Sequence, residues 1–202
     1  MNRKLLFLLF FGFIVSCTSK KKELQKDKPN NIFIDSTDFK FFQLEKFDIQ
    51  EWYNGNLKLK PLTKDQAKKY YQYRLRNGEV DSNYYQFYSL QKNEDEIKII
   101  TILDGATGKF PNLRMLIYNS KDSLIGFHPV AGIGTNPDFN LKYKVTSERV
   151  NDTTYISTGI KEYVGEFDDG RVSRDSTITK FIIELGFMKE EKIVDRKEFK
   201  LK

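Results

Sequence analysis

Cys17 is the residue whose type and position together prescribe chemistry. It is the only cysteine among 202 residues, so no disulfide can form within the chain. It stands directly after an apolar run, Leu5 to Val15, and a small residue, Ser16. A lone thiol at the end of such a run is expected to be used covalently rather than left free. His128 is the only histidine, which excludes a metal site built from three histidines. It lies between Phe127 and Pro129 in an apolar run, where a histidine satisfied within the fold is expected. A Ser-His-acid arrangement would need a serine presented by a Gly-x-Ser-x-Gly elbow, and the sequence holds none.

Carboxylates are the remaining source of acid–base chemistry. Two of them at suitable separation hydrolyse glycosides. Asp104 follows a strand, Asp168 and Asp169 lie in a turn and Glu184 is on a strand, and nothing in their spacing brings two together. Asp168-Asp169-Gly170 lacks the ligand spacing of a calcium loop. Gly132-Ile133-Gly134-Thr135-Asn136-Pro137 begins like a phosphate-cradling loop. It lacks the third glycine and a following helix, and Pro137 disfavours helix at Asn136, so a loop between strands is expected. No catalytic residue, cofactor site or metal site is assigned on this basis.

The elements that would position such groups are legible from periodicity. Residues 32 to 44 are apolar-rich but irregular. Asp48-Ile49-Gln50-Glu51 reads as a capped helix start, with Phe47 and Trp52 as a staple and Asn54-Gly55 as the stop. Thr63-Lys64-Asp65-Gln66 is a second capping box, with Leu62 and Ala67 as its staple. Ala67, Tyr70, Tyr71 and Leu75 fall on one helical face, and Asn77-Gly78 is the expected left-handed stop.

From residue 83 the period changes to two. Tyr84 to Leu90, Ile97 to Leu103, Leu113 to Tyr118 and Leu124 to Val130 are apolar on both faces, as strands covered on each side would be. Leu141 to Thr146, Tyr155 to Val164 and Thr177 to Leu185 alternate more cleanly. The chain ends on a charged run around Ile193 and Leu201 that suits a protected edge. The fold class expected is α+β, mostly β: an antiparallel meander of about eight strands with two short N-terminal helices. Tyr84, Tyr85, Phe87 and Tyr88 give one strand aromatics on both faces. Burial of both faces is expected, with any open face suited to protein or carbohydrate contact.

Residues 1–16 form a basic start, an eleven-residue apolar core and a small terminal residue, the marks of an export signal. The core is well short of the roughly 20 residues that span a bilayer. Ile14-Val15-Ser16-Cys17 resembles the lipobox of bacterial lipoprotein signal peptides, with Val15 in place of the commoner leucine. The resemblance implies a diacylglyceryl thioether on Cys17, cleavage before it, and membrane attachment through several acyl chains. One chain alone gives only marginal binding. Residues 17–31 then form a lysine-rich tether and 32–202 a single β-rich domain.

Charge and composition agree with this division. Arg3 and Lys4 carry two of the six net positive charges, and five lysines against two acids in residues 17–30 carry three more. The domain is left near neutrality, which excludes the basic face that nucleic-acid binding needs. The 17 Phe and 11 Tyr, with abundant Asn, Lys and Ile, resemble the usage of small envelope lipoproteins of Bacteroidota-type bacteria. By the same resemblance, Thr18 rather than aspartate after the cysteine implies the outer membrane, and lysines in place of an acidic surface-export cluster imply its periplasmic side. The expectation is a lipid-anchored, non-catalytic protein with a protein or glycan partner and no cofactor. A small envelope hydrolase using carboxylates or His128, and an immunity or inhibitor protein, are the alternatives.

Overall fold

Two strands precede the region where the hydrophobic period changes to two, and the longest strands follow it. A computed structural model describes residues 33–75, 83–136, 141–166 and 172–201. Leader, tether and Cys17 lie outside the described residues, as do Asn77-Gly78, Pro137 and Asp168-Asp169-Gly170. Among the described residues, no helix is long and apolar enough to cross a membrane.

The chain is mostly β, with one large mixed sheet of ten strands and few helices. Strands β1 (Phe41–Phe42) and β2 (Lys46–Phe47) come first. Helices α1 (Gln50–Tyr53) and α2 (Lys64–Tyr71) follow. Then come β3 (Tyr85–Asn93), β4 (Ile97–Asp104), β5 (Asn112–Asn119) and β6 (Leu124–Asn136). The last four are β7 (Leu141–Arg149), β8 (Thr154–Glu166), β9 (Val172–Glu184) and β10 (Phe187–Leu201). From β3 to β10 each strand pairs antiparallel with the next.

The expected eight-strand meander needs four corrections. β1 joins β3 in parallel, with Phe41 beside Ser89, and β2 pairs with β7, with Phe47 beside Ser147. β1 comes from the irregular residues 32 to 44, where a strand or an arm is expected, and β2 from just beyond them, where Phe47 is expected as a helix staple. Two-residue strands carry too few side chains to show a period, so pairing is set by the sheet they dock on. The third correction is Gly132–Asn136, read as a loop and found to be the second half of β6, paired with β7. Leu185 is a fourth: expected in a strand, it sits with Gly186 in the β9–β10 turn at φ +50° and +75°. That geometry matches the sheet's twist, and glycine supplies one of its two left-handed positions.

The central strands are covered on both faces. On one face Tyr70, Tyr71 and Ala67 of α2 pack with Phe87, Ile100, Ile102, Leu116 and Tyr118. On the other, Phe47, Ile49, Tyr155 and Ile183 pack with Ile99, Leu113, Met115 and Ile117. The Tyr118 hydroxyl donates to the Tyr70 carbonyl at 2.8 Å, tying α2 to β5 through the core.

α2 begins as its sequence dictates. Thr63 Oγ1 accepts from the Gln66 amide at 3.2 Å, and Gln66 Oε1 accepts from the Thr63 amide at 2.9 Å. Gln66 Nε2 also donates to the buried Asp38 carboxylate, which is paired with Lys60. Thr63→Ala is expected to cost about 1 kcal/mol, read as a lower urea midpoint at unchanged slope. α1 is capped differently from expectation. Asp48 accepts from the Gln50 amide at 2.8 Å, two residues on, and the helix is a single turn.

Candidate functional site

The site grows from one row of neighbours across the sheet. The register sets Tyr85 beside Asp104, Asp104 beside Asn112, and Asn112 beside Gly132. These side chains share the face that carries α2. A pocket of about 250 Å³ opens over them, lined by Tyr71, Arg74, Tyr84, Tyr85, Asp104, Phe110, Asn112, Arg114 and Phe127. Five aromatic rings, two guanidinium groups, one carboxylate and one carboxamide therefore meet in one concavity.

Local geometry fixes each part. Arg114 Nε donates to Asp104 Oδ2 at 3.3 Å, and its guanidinium lies 5.0 Å from the centroid of Phe127. Arg74, in the 3-10 turn after α2, approaches the same ring at 5.7 Å. It makes no carboxylate pair among the described residues. The lining is thus left with one positive charge in excess. Asn112 Nδ2 donates to the Phe110 carbonyl at 2.8 Å, and its Oδ1 accepts from the Tyr143 hydroxyl at 3.2 Å.

The glycines expected in a loop between strands have another task. A Cβ on Gly132 would stand 2.5 Å from Asn112 Oδ1, and one on Gly134 would stand 2.6 Å from the Tyr143 ring and collide with Phe110. They are flat windows in β6 that let Asn112, Phe110 and Tyr143 lie against the strand.

The hydroxyl of Tyr71 is the site's unspent group. It is buried and has no hydrogen-bond partner among the described residues. Burial first, then the charge of Asp104, hold its pKa well above the ordinary tyrosine value, so it remains a neutral donor. A buried hydroxyl without a partner costs about 1–3 kcal/mol.

A second concavity of about 290 Å³ is mostly apolar and open, formed by Tyr53 with Ile133, Tyr143 and Ile160 among others. Lys142, Lys144 and Glu162 complete its lining.

The sequence-derived candidates fare unevenly. Asp104 is in the pocket, but Glu184 is on β9 and pairs with Lys189 at 3.6 Å. His128 stands across from Met115, whereas Phe127 stands across from Leu116, so alternation turns His128 toward the opposite face of the sheet. Among the described residues, no three His, Cys, Asp or Glu are gathered to hold a metal ion. Of the aromatic strand, Phe87 and Tyr88 are buried, while Tyr84 and Tyr85 line the pocket.

Burial, and next the nearby Arg114 charge, lower the His128 pKa from 6.5 to about 4. Between those values the unfolded chain takes up a proton that the folded ring refuses. Stability is therefore undiminished above pH 6.5 and falls as pH drops toward 4. The loss expected is about 1–2 kcal/mol, the full shift being discounted for the ring's partial contact with water. Urea midpoints at pH 7 and pH 4 measure it, and His128→Gln should shrink the difference.

Compared with protein-family models, curated proteins and solved structures, the chain matches none.

Proposed function

We propose that the chain is a lipid-anchored lipoprotein of the bacterial cell envelope whose β domain binds a ligand and does not transform it. The antiparallel succession of β3 to β10, with α2 on one face and α1 on the other, serves as its scaffold. Cys17 would carry the lipid, and the outer membrane facing the periplasm is the location that Thr18 favours. The single observation that carries the binding reading is the unpartnered Tyr71 hydroxyl in the wall of an arginine- and aromatic-lined pocket. Rings flanked by guanidinium, carboxamide and phenol groups suit a polar ring, and a sugar residue of an envelope glycan fits both size and chemistry. Asp104 is engaged by Arg114 and has no second carboxylate lining the pocket, which favours binding over hydrolysis.

Clickable fatty-acid labelling of cells tests the anchor: label and membrane recovery should both vanish in Cys17→Ser. A photoreactive residue in place of Tyr84, which is partly exposed beside the pocket, tests the binding role by crosslinking in intact envelopes. Recovery of a glycan supports it. Recovery of nothing, with turnover of glycan or peptide by the purified protein, overturns it. Tyr71→Phe separates structure from binding. Removing an unsatisfied buried hydroxyl should leave stability unchanged or raise it by up to about 1 kcal/mol, while glycan capture falls.

A further inference from the structure

The last strand is an open edge. Among the described residues β10 is hydrogen-bonded to β9 alone, and it ends the strand order of the sheet. At its middle Ile193 and Val194 are 59% and 50% exposed, large apolar side chains in a run of charges.

Those charges have an order. Reading outward from Ile193–Val194, one direction gives Lys192, Glu191, Glu190 and the other gives Asp195, Arg196, Lys197. Each position on one side is opposite in sign to its counterpart. In the sequence, Lys189 and Glu198 continue the pattern. An edge protected by repulsion would carry one sign throughout. Here the strand complements its own reversal.

Sign alone is insufficient, because residues directly opposite in an antiparallel pair must share a face. Lys192 and Asp195 are three apart, and in a regular strand they would point to opposite faces. β10 is irregular at this point. Its register against β9 shifts between Ile193 and Asp195, leaving Val194 without a partner. The extra residue reverses the phase. Lys192 now stands across from Lys180 and Asp195 from Ile178, two positions apart on β9 and so on one face. Glu190 and Lys197, across from Ile182 and Ser176, share that face. Glu191 and Arg196, across from Phe181 and Thr177, share the other.

We propose that β10 pairs antiparallel with β10 of a second copy of this chain, about a two-fold axis at Ile193–Val194, joining two sheets edge to edge. Each copy would then oppose Lys192 to the other's Asp195, Glu191 to Arg196 and Glu190 to Lys197. The two-fold repeats every pair, as a self-complementary interface requires. The apolar pair at the centre is covered by its symmetry mate. Lys192 gains most, since within its own chain it faces Lys180 and has no ion pair among the described residues. Glu191 and Arg196 have none there either, so reversing them breaks no bond inside the protomer.

Charge reversal tests this on the full chain in density-matched detergent, by sedimentation equilibrium. Wild type should dimerise. Glu191→Arg and Arg196→Glu should each weaken dimerisation about tenfold or more, since each turns two attractions into two repulsions. The double variant should dimerise again, and the two single variants mixed together should form a heterodimer. Circular dichroism verifies that each variant folds, and these side chains are exposed. A monomeric wild type overturns the proposal, including one whose edge pairs instead with a strand of another protein. So does a dimer indifferent to both reversals, or a double variant that stays monomeric.

Discussion

Gly126→Ala is expected to destabilise the protein by about 3 kcal/mol or more, the range of an insertion that packing cannot absorb. Gly126 lies in β6, and the turn between β9 and β10 rests on it. A Cβ there would collide with the Leu185 carbonyl oxygen, lie 3.0 Å from its carbon and 3.1 Å from Ile117 Cβ. Two of these atoms are backbone, so no side chain can swing aside. From the turn's side, Gly186 faces the same constraint, 2.8 Å from Gly126 Cα. The turn is also held from β8's side, where the Leu185 amide donates to the Thr153 carbonyl at 2.9 Å. Lifting it would unseat the start of the hairpin and with it Ile183, which is fully buried against Met115 and Ile117 in the same cluster. The measurement is a urea transition by tryptophan fluorescence and by circular dichroism together. Coincident curves with a lower midpoint are the expected result. A midpoint unchanged from wild type would show that the turn does not rest on β6.

How far the sequence reveals this fold depends on how many residues each feature engages. The runs from residue 85 onward repeat often enough to show period two, and their double-sided apolarity reflects the α2 cluster on one face and the Tyr155–Ile183 cluster on the other. β1 and β2 are too short to show anything. Gly132 and Gly134 misled because glycine pairs are read as loops, whereas here neighbouring side chains fill the space that Cβ atoms would take. Val194's bulge is invisible in sequence, since it is a mismatch between two strands. The pocket was half legible. Tyr84 and Tyr85 were singled out, but Arg114 was not, although an arginine inside Leu113–Tyr118, apolar on both faces, demands a carboxylate nearby. Asp104, at the other end of the loop joining β4 to β5, supplies it.

Arg114→Leu is the second large effect, expected at about 2–3 kcal/mol. The Asp104 side chain is only 17% exposed, and Arg114 is the cation it pairs with. Removing the guanidinium leaves a mostly buried carboxylate to be solvated or protonated, and it also removes the cation stacked on Phe127. The sign of the pH dependence separates the two losses. A partly buried carboxylate that loses a neighbouring cation takes up its proton at higher pH. The variant should therefore lose most stability at neutral pH and approach wild type as acid neutralises the carboxylate. A loss due to stacking would not depend on pH. Pairing Arg114→Leu with Asp104→Leu should recover stability, because an apolar pair needs no counter-charge. It should not recover glycan capture, since the pocket would keep its aromatic rings but lose the polar groups that orient a sugar. Recovery of both would mean that Asp104 and Arg114 serve the fold alone, and that the ligand site must be sought elsewhere.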